Sequence, residues 1–179
     1  MIPIPGFVIS ILTFPGVIVH EFAHFLFCRI FGVAVFEVCY FRVGNPAGYV
    51  IHEPPRYAWQ HVLIGIGPFF VNTIIGVLIA LPAAIDFQGT EHSSLLDLAL
   101  MYFGVSIAMH SFPSTGDAQS IWGTLWDKET PAPVLLKIIS TPLVAAIYIG
   151  AFASIIWLDA LYGYGAVTYG AKLVVKLFA

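Results

Sequence analysis

Charged residues are scarce in this chain of 179 residues. Only 9% of the residues are Asp, Glu, Lys or Arg, whereas 59% are hydrophobic. Soluble domains carry about 25% charged residues, and a soluble fold of this size could not bury so much apolar surface. The composition therefore excludes an ordinary soluble domain and indicates a chain embedded in a lipid bilayer.

Basic clusters and metal-type cysteine spacings are also missing. The seven Lys and Arg residues are scattered and the net charge is −3, so no surface for nucleic acid is expected. Cys28 and Cys39 match no zinc or redox spacing, and we expect free, buried thiols. The first basic residue is Arg29, and we expect the apolar run before it to be a retained membrane span rather than a signal peptide.

Four apolar segments are long enough to cross a bilayer, which takes about 20 helical residues. They cover roughly residues 2–27, 57–85, 95–112 and 134–158. We therefore predict an all-α membrane protein, a polytopic helical bundle of four spans, or of five if the tail also crosses. The bundle is expected to be a single membrane-embedded domain over residues 1–179.

Two segments refine this prediction. Pro15-Gly16 falls inside the first span, one turn before a histidine, and predicts a kink there. We place the core in residues 1–130 and treat residues 159–179 as a tail. Lys172 and Lys176 lie one helical turn apart in this tail and favour an interfacial amphipathic helix over a fifth span.

Between the first two spans the pattern changes to that of a β-hairpin. Residues 33–42 are rich in β-branched and aromatic side chains, the Gly-Asn-Pro-Ala-Gly of residues 44–48 is a turn signal, and residues 49–51 are apolar again. Because strand edges cannot face lipid, the hairpin must lie at the surface or inside the protein.

The charges of the loops predict an orientation. The loops after the first and third spans carry basic residues, whereas the loop after the second carries only acidic charges. We therefore expect the first and third loops to be cytoplasmic and the N-terminus to be outside. The first and third loops hold Arg29, Arg42, Arg56, Lys128 and Lys137.

The first span contains a metal-binding pattern, His20-Glu21-Phe22-Ala23-His24. Positions i and i+4 of a helix lie on one face, so the two imidazoles can bind one zinc ion while Glu21 reaches a water molecule beside it. Ionisable side chains within a membrane helix are costly and usually functional. The sequence therefore predicts a single zinc ion held by His20 and His24, nearer the cytoplasmic face, with Glu21 as general base.

The third ligand is less clear from spacing. An open catalytic zinc site usually has three protein ligands. The extended pattern with a third histidine six residues after the second fails, because Ile30 stands there. His92 should lie on the opposite membrane side. The other candidates are His52, Glu53, His61, His110 and Asp117, and spacing alone favours Asp117 and Glu53 equally.

These motifs resemble those of the site-2 protease family of intramembrane zinc metalloproteases. The resemblance covers about residues 20–120: the histidine motif in an apolar helix, the hairpin, and the Gly-Pro-Phe-Phe-Val-Asn of residues 67–72, similar to the family's Gly-Pro-x-x-Asn element. The family's later Asn-x-x-Pro and Asp-Gly segment differs here. This chain has His-Ser-Phe-Pro at residues 110–113 and Gly-Asp-Ala at residues 116–118.

The resemblance implies an activity and two further site residues. The activity is hydrolysis of peptide bonds in or near transmembrane segments of membrane-protein substrates. Asp117 would be the third zinc ligand, with His110 as a substitute for a family asparagine or as a ligand. Asn72 would lie beside the active site and orient substrate or stabilise the oxyanion.

The substrate must be extended where it is cut, because a helix hides its carbonyls in its own hydrogen bonds. We expect the first strand of the hairpin, at Val35, Phe36, Glu37 and Val38, to hold it by β-addition. The expected partners are therefore a membrane-protein or peptide substrate and the lipid bilayer. The sequence does not define an oligomeric state.

Two other functions fit the same residues. A non-catalytic membrane metal-binding or transport component could retain the His-Glu-x-x-His helix. A membrane zinc enzyme could also act on a substrate other than a peptide. A Glu21→Gln protein that keeps zinc separates the protease from the non-catalytic protein.

Overall fold

A computed structural model describes residues 6–89, 94–129 and 132–178. His92, which we expected on the opposite membrane side, lies outside these residues. The described chain is mostly helical, with one small antiparallel sheet. Its elements are α1 (Gly6–Leu12), α2 (Phe14–Ile30), β1 (Val35–Cys39), β2 (Tyr49–His52), α3 (Ala58–Gly89), α4 (Leu95–Met109), α5 (Thr115–Leu125), α6 (Val134–Ala153) and α7 (Leu158–Phe178).

Two segments of the described chain, Ala58–Ile85 and Val134–Ile156, are long and apolar enough to cross a membrane. The bent pair α1 and α2 raises this to three if the pair forms one span. Helix α4 is apolar but has only 15 residues. The all-α bundle with a small hairpin is therefore present, whereas the four or five spans expected from the sequence are not all found.

The kink predicted at Pro15-Gly16 is confirmed. Helices α1 and α2 meet at an angle of 91° around Thr13, and Pro15 lies in the first turn of α2. A proline there lacks only an N–H that would have no helical partner. The Thr13 hydroxyl donates a hydrogen bond to the Ile9 carbonyl at 2.7 Å, which closes the last turn of α1.

The predicted β-hairpin is also confirmed. Strands β1 and β2 pair antiparallel, with Val38 opposite Val50 and Cys39 opposite Tyr49. Both strands contact α2, so the sheet lies along the helix that carries the histidine motif.

Small residues bring α3 and α4 into close contact. Gly76 and Ala80 on α3 face Gly104 and Ala108 on α4, one turn apart on each helix. A Cβ atom added at Gly104 would lie 2.5 Å from the Ala80 Cβ and 2.7 Å from the Gly76 carbonyl oxygen. Such small-xxx-small pairs let helix backbones approach where no hydrophobic effect drives them together.

The tail forms α7, which packs along both α3 and α4. Val167 and Ala171 are fully buried. A Cβ atom at Gly163 would meet Met109, and one at Gly170 would meet Val77. This lengthwise packing makes α7 part of the helical bundle, while the interfacial position favoured from the lysine spacing stays a prediction. Helix α7 is nevertheless not among the helices apolar enough to count as a span.

We predict that Gly104→Ala lowers the stability of the bundle by about 1–3 kcal/mol, because the new methyl group overpacks a backbone contact. Gly165→Ala is the matched control. It lies within α7, and a Cβ atom there has no heavy atom within 4 Å, so it should stabilise by up to about 1 kcal/mol through helix propensity. Thermal unfolding in detergent measures both, and equal shifts would contradict the packing described.

Candidate metal centre

Three potential ligand side chains converge at one point between α2 and α5. His20 and His24 lie one turn apart on α2, and their Nε2 atoms are 3.2 Å from each other. Asp117 lies in the first turn of α5, with Oδ1 at 3.4 Å from His24 Nε2 and Oδ2 at 3.9 Å from His20 Nε2. One ligand atom from each residue lies within 4.8 Å of the others.

Backbone carbonyls orient both imidazoles. His20 Nδ1 lies 2.7 Å from the His110 carbonyl oxygen, and His24 Nδ1 lies 2.9 Å from the Ile64 carbonyl oxygen. A carbonyl oxygen can only accept, so each Nδ1 carries the proton. In the neutral imidazoles each Nε2 is then unprotonated, and its lone pair faces the Nε2 atom of the other histidine.

This donor set fits zinc. Two unprotonated Nε2 atoms at 3.2 Å cannot form a hydrogen bond with each other, and a carboxylate oxygen beside them adds another lone pair. A cation resolves this repulsion. Ligand atoms on a tetrahedral zinc ion with bonds of 2.0–2.1 Å lie about 3.3 Å apart, which matches the two shorter separations. Nδ1–H groups that donate to carbonyls are the usual outer support of such ligands.

A capping box holds Asp117 in place. Ser114 is the N-cap of α5, and its backbone N–H and hydroxyl both donate to Asp117 Oδ2 at 2.7 Å. The Asp117 N–H donates back to the Ser114 hydroxyl at 3.1 Å. Oδ2 is thus engaged by Ser114, which leaves Oδ1 directed at His24.

The surroundings keep Asp117 ionised. Burial by itself would raise the pKa of this carboxyl group. Where the neighbouring His24 and His20 imidazoles are protonated, their charge and the His20 hydrogen bond, together with the Ser114 hydrogen bonds, outweigh burial and hold the pKa of Asp117 well below its ordinary value. An anionic carboxylate is the form that binds a metal ion.

The carboxylate of Glu21 is positioned by packing. Glu21 is 8% exposed and lines the same cavity as the histidines. Among the described residues, no hydrogen bond to this carboxylate is found. Gly48, just before β2, lies against it: a Cβ atom there would be 2.5 Å from Glu21 Cγ and 2.9 Å from Oε1. The Glu21 side chain therefore occupies space that any side chain at position 48 would fill.

Asn72 lies next to the ligands but does not face the cavity. It is fully buried, and its amide nitrogen donates to the carbonyls of Gly16 and Ile107 at 3.1 Å and of His110 at 3.3 Å. Its N–H groups are thus directed at main-chain acceptors of α2, of α4 and of the residue that follows α4. Asn72 supports the His110 carbonyl that orients His20.

The other ligand candidates are directed elsewhere. Glu53 accepts a hydrogen bond from the Ala34 N–H at 3.0 Å, and His110 Nε2 is 2.7 Å from the Thr13 hydroxyl. His52 donates from Nδ1 to the Glu53 carbonyl at 2.8 Å. In the part of the chain that the structure describes, only Asp117 completes a three-ligand group with the two histidines.

The cavity beside the ligands has a volume of about 470 Å³, room for an extended peptide segment. The hairpin lines it through the turn at residues 45–48 and through Tyr49, Val50 and His52 of the second strand. Val35, Phe36, Glu37 and Val38, the strand residues expected to hold substrate, are not among the described residues that line it. The structure therefore brings β2, not β1, to the metal centre.

Sequence reasoning missed a polar link between α3 and α5. His61 was considered only as a ligand, but its two ring nitrogens lie 2.8 Å from the hydroxyls of Ser120 and Thr124. Both hydroxyl residues lie on α5, which also carries Asp117. The spacing of Ser120 and Thr124, one turn apart and one turn beyond Asp117, was the available signal.

Comparison with known proteins agrees with this geometry. A family model described as "Putative zincin peptidase" matches residues 4–129. No curated protein and no solved structure gave a match to this chain. The matched segment contains the histidine motif, the hairpin and Asp117, and it covers well over half of the chain. The chain therefore belongs to this family of zinc peptidases.

Proposed function

We propose that this protein is an intramembrane zinc metallopeptidase of the site-2 protease type, which cuts peptide bonds in or near transmembrane segments. The observation that supports this most strongly is the convergence of His20, His24 and Asp117 beside Glu21 in an apolar helical bundle. Two or three helices are apolar enough to cross a membrane, which supports a site that opens within or next to the bilayer.

His20, His24 and Asp117 would hold the zinc ion. Zinc in this position supplies Lewis-acid chemistry to the scissile carbonyl and lowers the pKa of a water molecule. Glu21 accepts the proton of the attacking water and then donates it to the amide nitrogen as the C–N bond breaks. Asn72 acts through the His110 carbonyl, which fixes the orientation of His20, and not as an oxyanion donor.

The substrate would bind as an extended strand beside β2. Tyr49, Val50 and His52 line the cavity. Among the described strands only β1 pairs with β2, and the proposed substrate would add to the other edge of β2. This placement replaces the β1 residues expected from the sequence. It brings a bound peptide between the hairpin and the Asp117 end of α5.

We further propose that the metal centre lies nearer the cytoplasmic face. Arg29 and Arg56 flank the hairpin that lines the cavity, and Arg42 lies in its turn. The positive-inside rule places such a basic loop in the cytoplasm. Water then reaches the site from that side.

The zinc site is tested by replacing two aspartates that form matching capping boxes. Asp117→Asn should abolish stoichiometric zinc binding, because it removes the anionic ligand. Asp97→Asn should keep it, because Asp97 forms the same capping box with Ser94 at the start of α4 without belonging to the metal group. Zinc is measured by elemental analysis of purified protein, and equal zinc loss in both would show that helix capping alone explains the effect.

The catalytic role is tested at Glu21. Glu21→Gln should keep full zinc content and lose proteolysis by about 10²–10⁴-fold, because only the proton acceptor is removed. Cleavage of a transmembrane model substrate in detergent, followed by gel analysis, measures this. A wild-type protein that binds zinc but cleaves no membrane or soluble peptide would instead favour the non-catalytic metal-binding component.

The docking strand is tested by one substitution on each strand. Val50→Gln should reduce cleavage about tenfold or more with unchanged zinc content, because it alters the cavity wall on β2. Phe36 on β1 is 70% exposed, so Phe36→Gln should leave the cleavage rate within twofold of the wild-type rate. A larger loss of cleavage in Phe36→Gln than in Val50→Gln would indicate that the substrate binds at β1.

A further inference from the structure

Pro68, within α3, leaves one backbone carbonyl of that helix without its usual hydrogen-bond donor. A helix normally uses the N–H of residue i+4 to satisfy the carbonyl of residue i. Pro68 has no N–H and lies inside α3, so the carbonyl of Ile64 has no such partner. That same carbonyl accepts the hydrogen bond from His24 Nδ1 at 2.9 Å.

We propose that Pro68 is a positioning residue for the metal centre: by leaving the Ile64 carbonyl without a helical donor, it reserves that carbonyl for His24. This inference rests on the proposed zinc site but not on the proposed substrate. Pro68 acts only through Ile64 and His24 and contacts no reacting atom.

The surroundings of Pro68 fit this role. A proline within a helix interior is costly, yet Pro68 is fully buried in the bundle. The neighbouring Gly67 has no room for a side chain, since a Cβ atom there would lie 2.7 Å from the Phe27 ring on α2. Helices α2 and α3 are therefore held close enough for a side chain on one to reach a carbonyl of the other.

The bond also fixes the chemistry of His24. With Nδ1–H donated to Ile64, the Nε2 lone pair faces His20 and Asp117. If residue 68 carried an N–H, that group would compete for the Ile64 carbonyl, and His24 would lose the partner that selects its tautomer and ring orientation. Loss of such outer support typically weakens metal binding 10- to 100-fold.

The test replaces two prolines of the same helix in the full-length protein. Pro68→Ala should raise the dissociation constant for Zn²⁺ about 10- to 100-fold, measured by competition with a chromogenic chelator. Pro82→Ala is the matched control: Pro82 is also inside α3 but is exposed and remote from the ligands, so zinc affinity should stay within twofold. Unchanged zinc affinity in Pro68→Ala would overturn the proposal.

A second variant separates the hydrogen bond from packing. Pro68→Gly restores the same N–H but leaves a larger void than Pro68→Ala. Equal loss of zinc affinity in the two variants supports competition for the carbonyl, whereas a loss that grows with the void would overturn it. In metal-free protein, ¹⁵N-histidine NMR should report the Nδ1–H tautomer of His24 in wild type and a mixed population in Pro68→Ala. A wild-type tautomer in that variant would contradict the proposal.

These measurements are independent of proteolysis. Should the wild-type protein bind zinc with the expected dependence on Pro68 and yet cleave no peptide, the proposed peptidase function fails and the positioning role of Pro68 stands. Should zinc bind tightly and equally to both proline variants, the positioning role fails and the peptidase function is unaffected.

Discussion

The metal centre depends on backbone carbonyls that helices do not use themselves. Each ligand histidine needs an acceptor for its Nδ1–H, and apolar bundles offer few, because regular helices consume their own carbonyls. Here one acceptor is at Ile64, four residues before a proline, and the other is at His110, just after the end of α4. The carbonyls that orient the two histidines are thus those left free by a proline within α3 and by the end of α4.

The remaining ligand follows a related logic at the start of a helix. Asp117 Oδ2 accepts a hydrogen bond from the N-cap residue of α5, which leaves Oδ1 for the proposed metal ion. In the proposed site, this one residue joins helix capping to metal binding. The combination explains why the site lies between the middle of α2 and the first turn of α5, where a capped helix start meets two imidazoles.

The parts of this arrangement that could be predicted from the sequence are local. The i, i+4 spacing of His20 and His24, the kink at Pro15 and the hairpin each follow from residues close in the chain, and all are present. The choice of Asp117 over Glu53 could not be made from spacing, because it depends on how α5 packs on α3 and thereby brings Asp117 to the histidines of α2. The resemblance implied Asp117, and the convergent geometry supports it.

Other features depend on packing that the sequence pattern does not reveal. Both strands of the hairpin have similar β-branched and aromatic character, so nothing in their composition tells which one faces the cavity. The lysine spacing in the tail predicts an interfacial helix but does not reveal that Gly163 and Gly170 allow α7 to pack closely on α3 and α4. Asn72 looked like a catalytic amide because of its position in the motif, whereas its N–H groups are directed at main-chain carbonyls.

The contact between Gly48 and Glu21 has a mechanical consequence. The carboxylate has no hydrogen-bonding partner among the described residues, and the backbone of the hairpin turn restricts its rotation. Arg42 braces that turn by donating to the Pro46 carbonyl at 2.9 Å. In the proposed mechanism, a peptide that aligned with β2 and shifted the turn would also shift the Glu21 carboxylate, which would couple the entry of a chain to the alignment of the base.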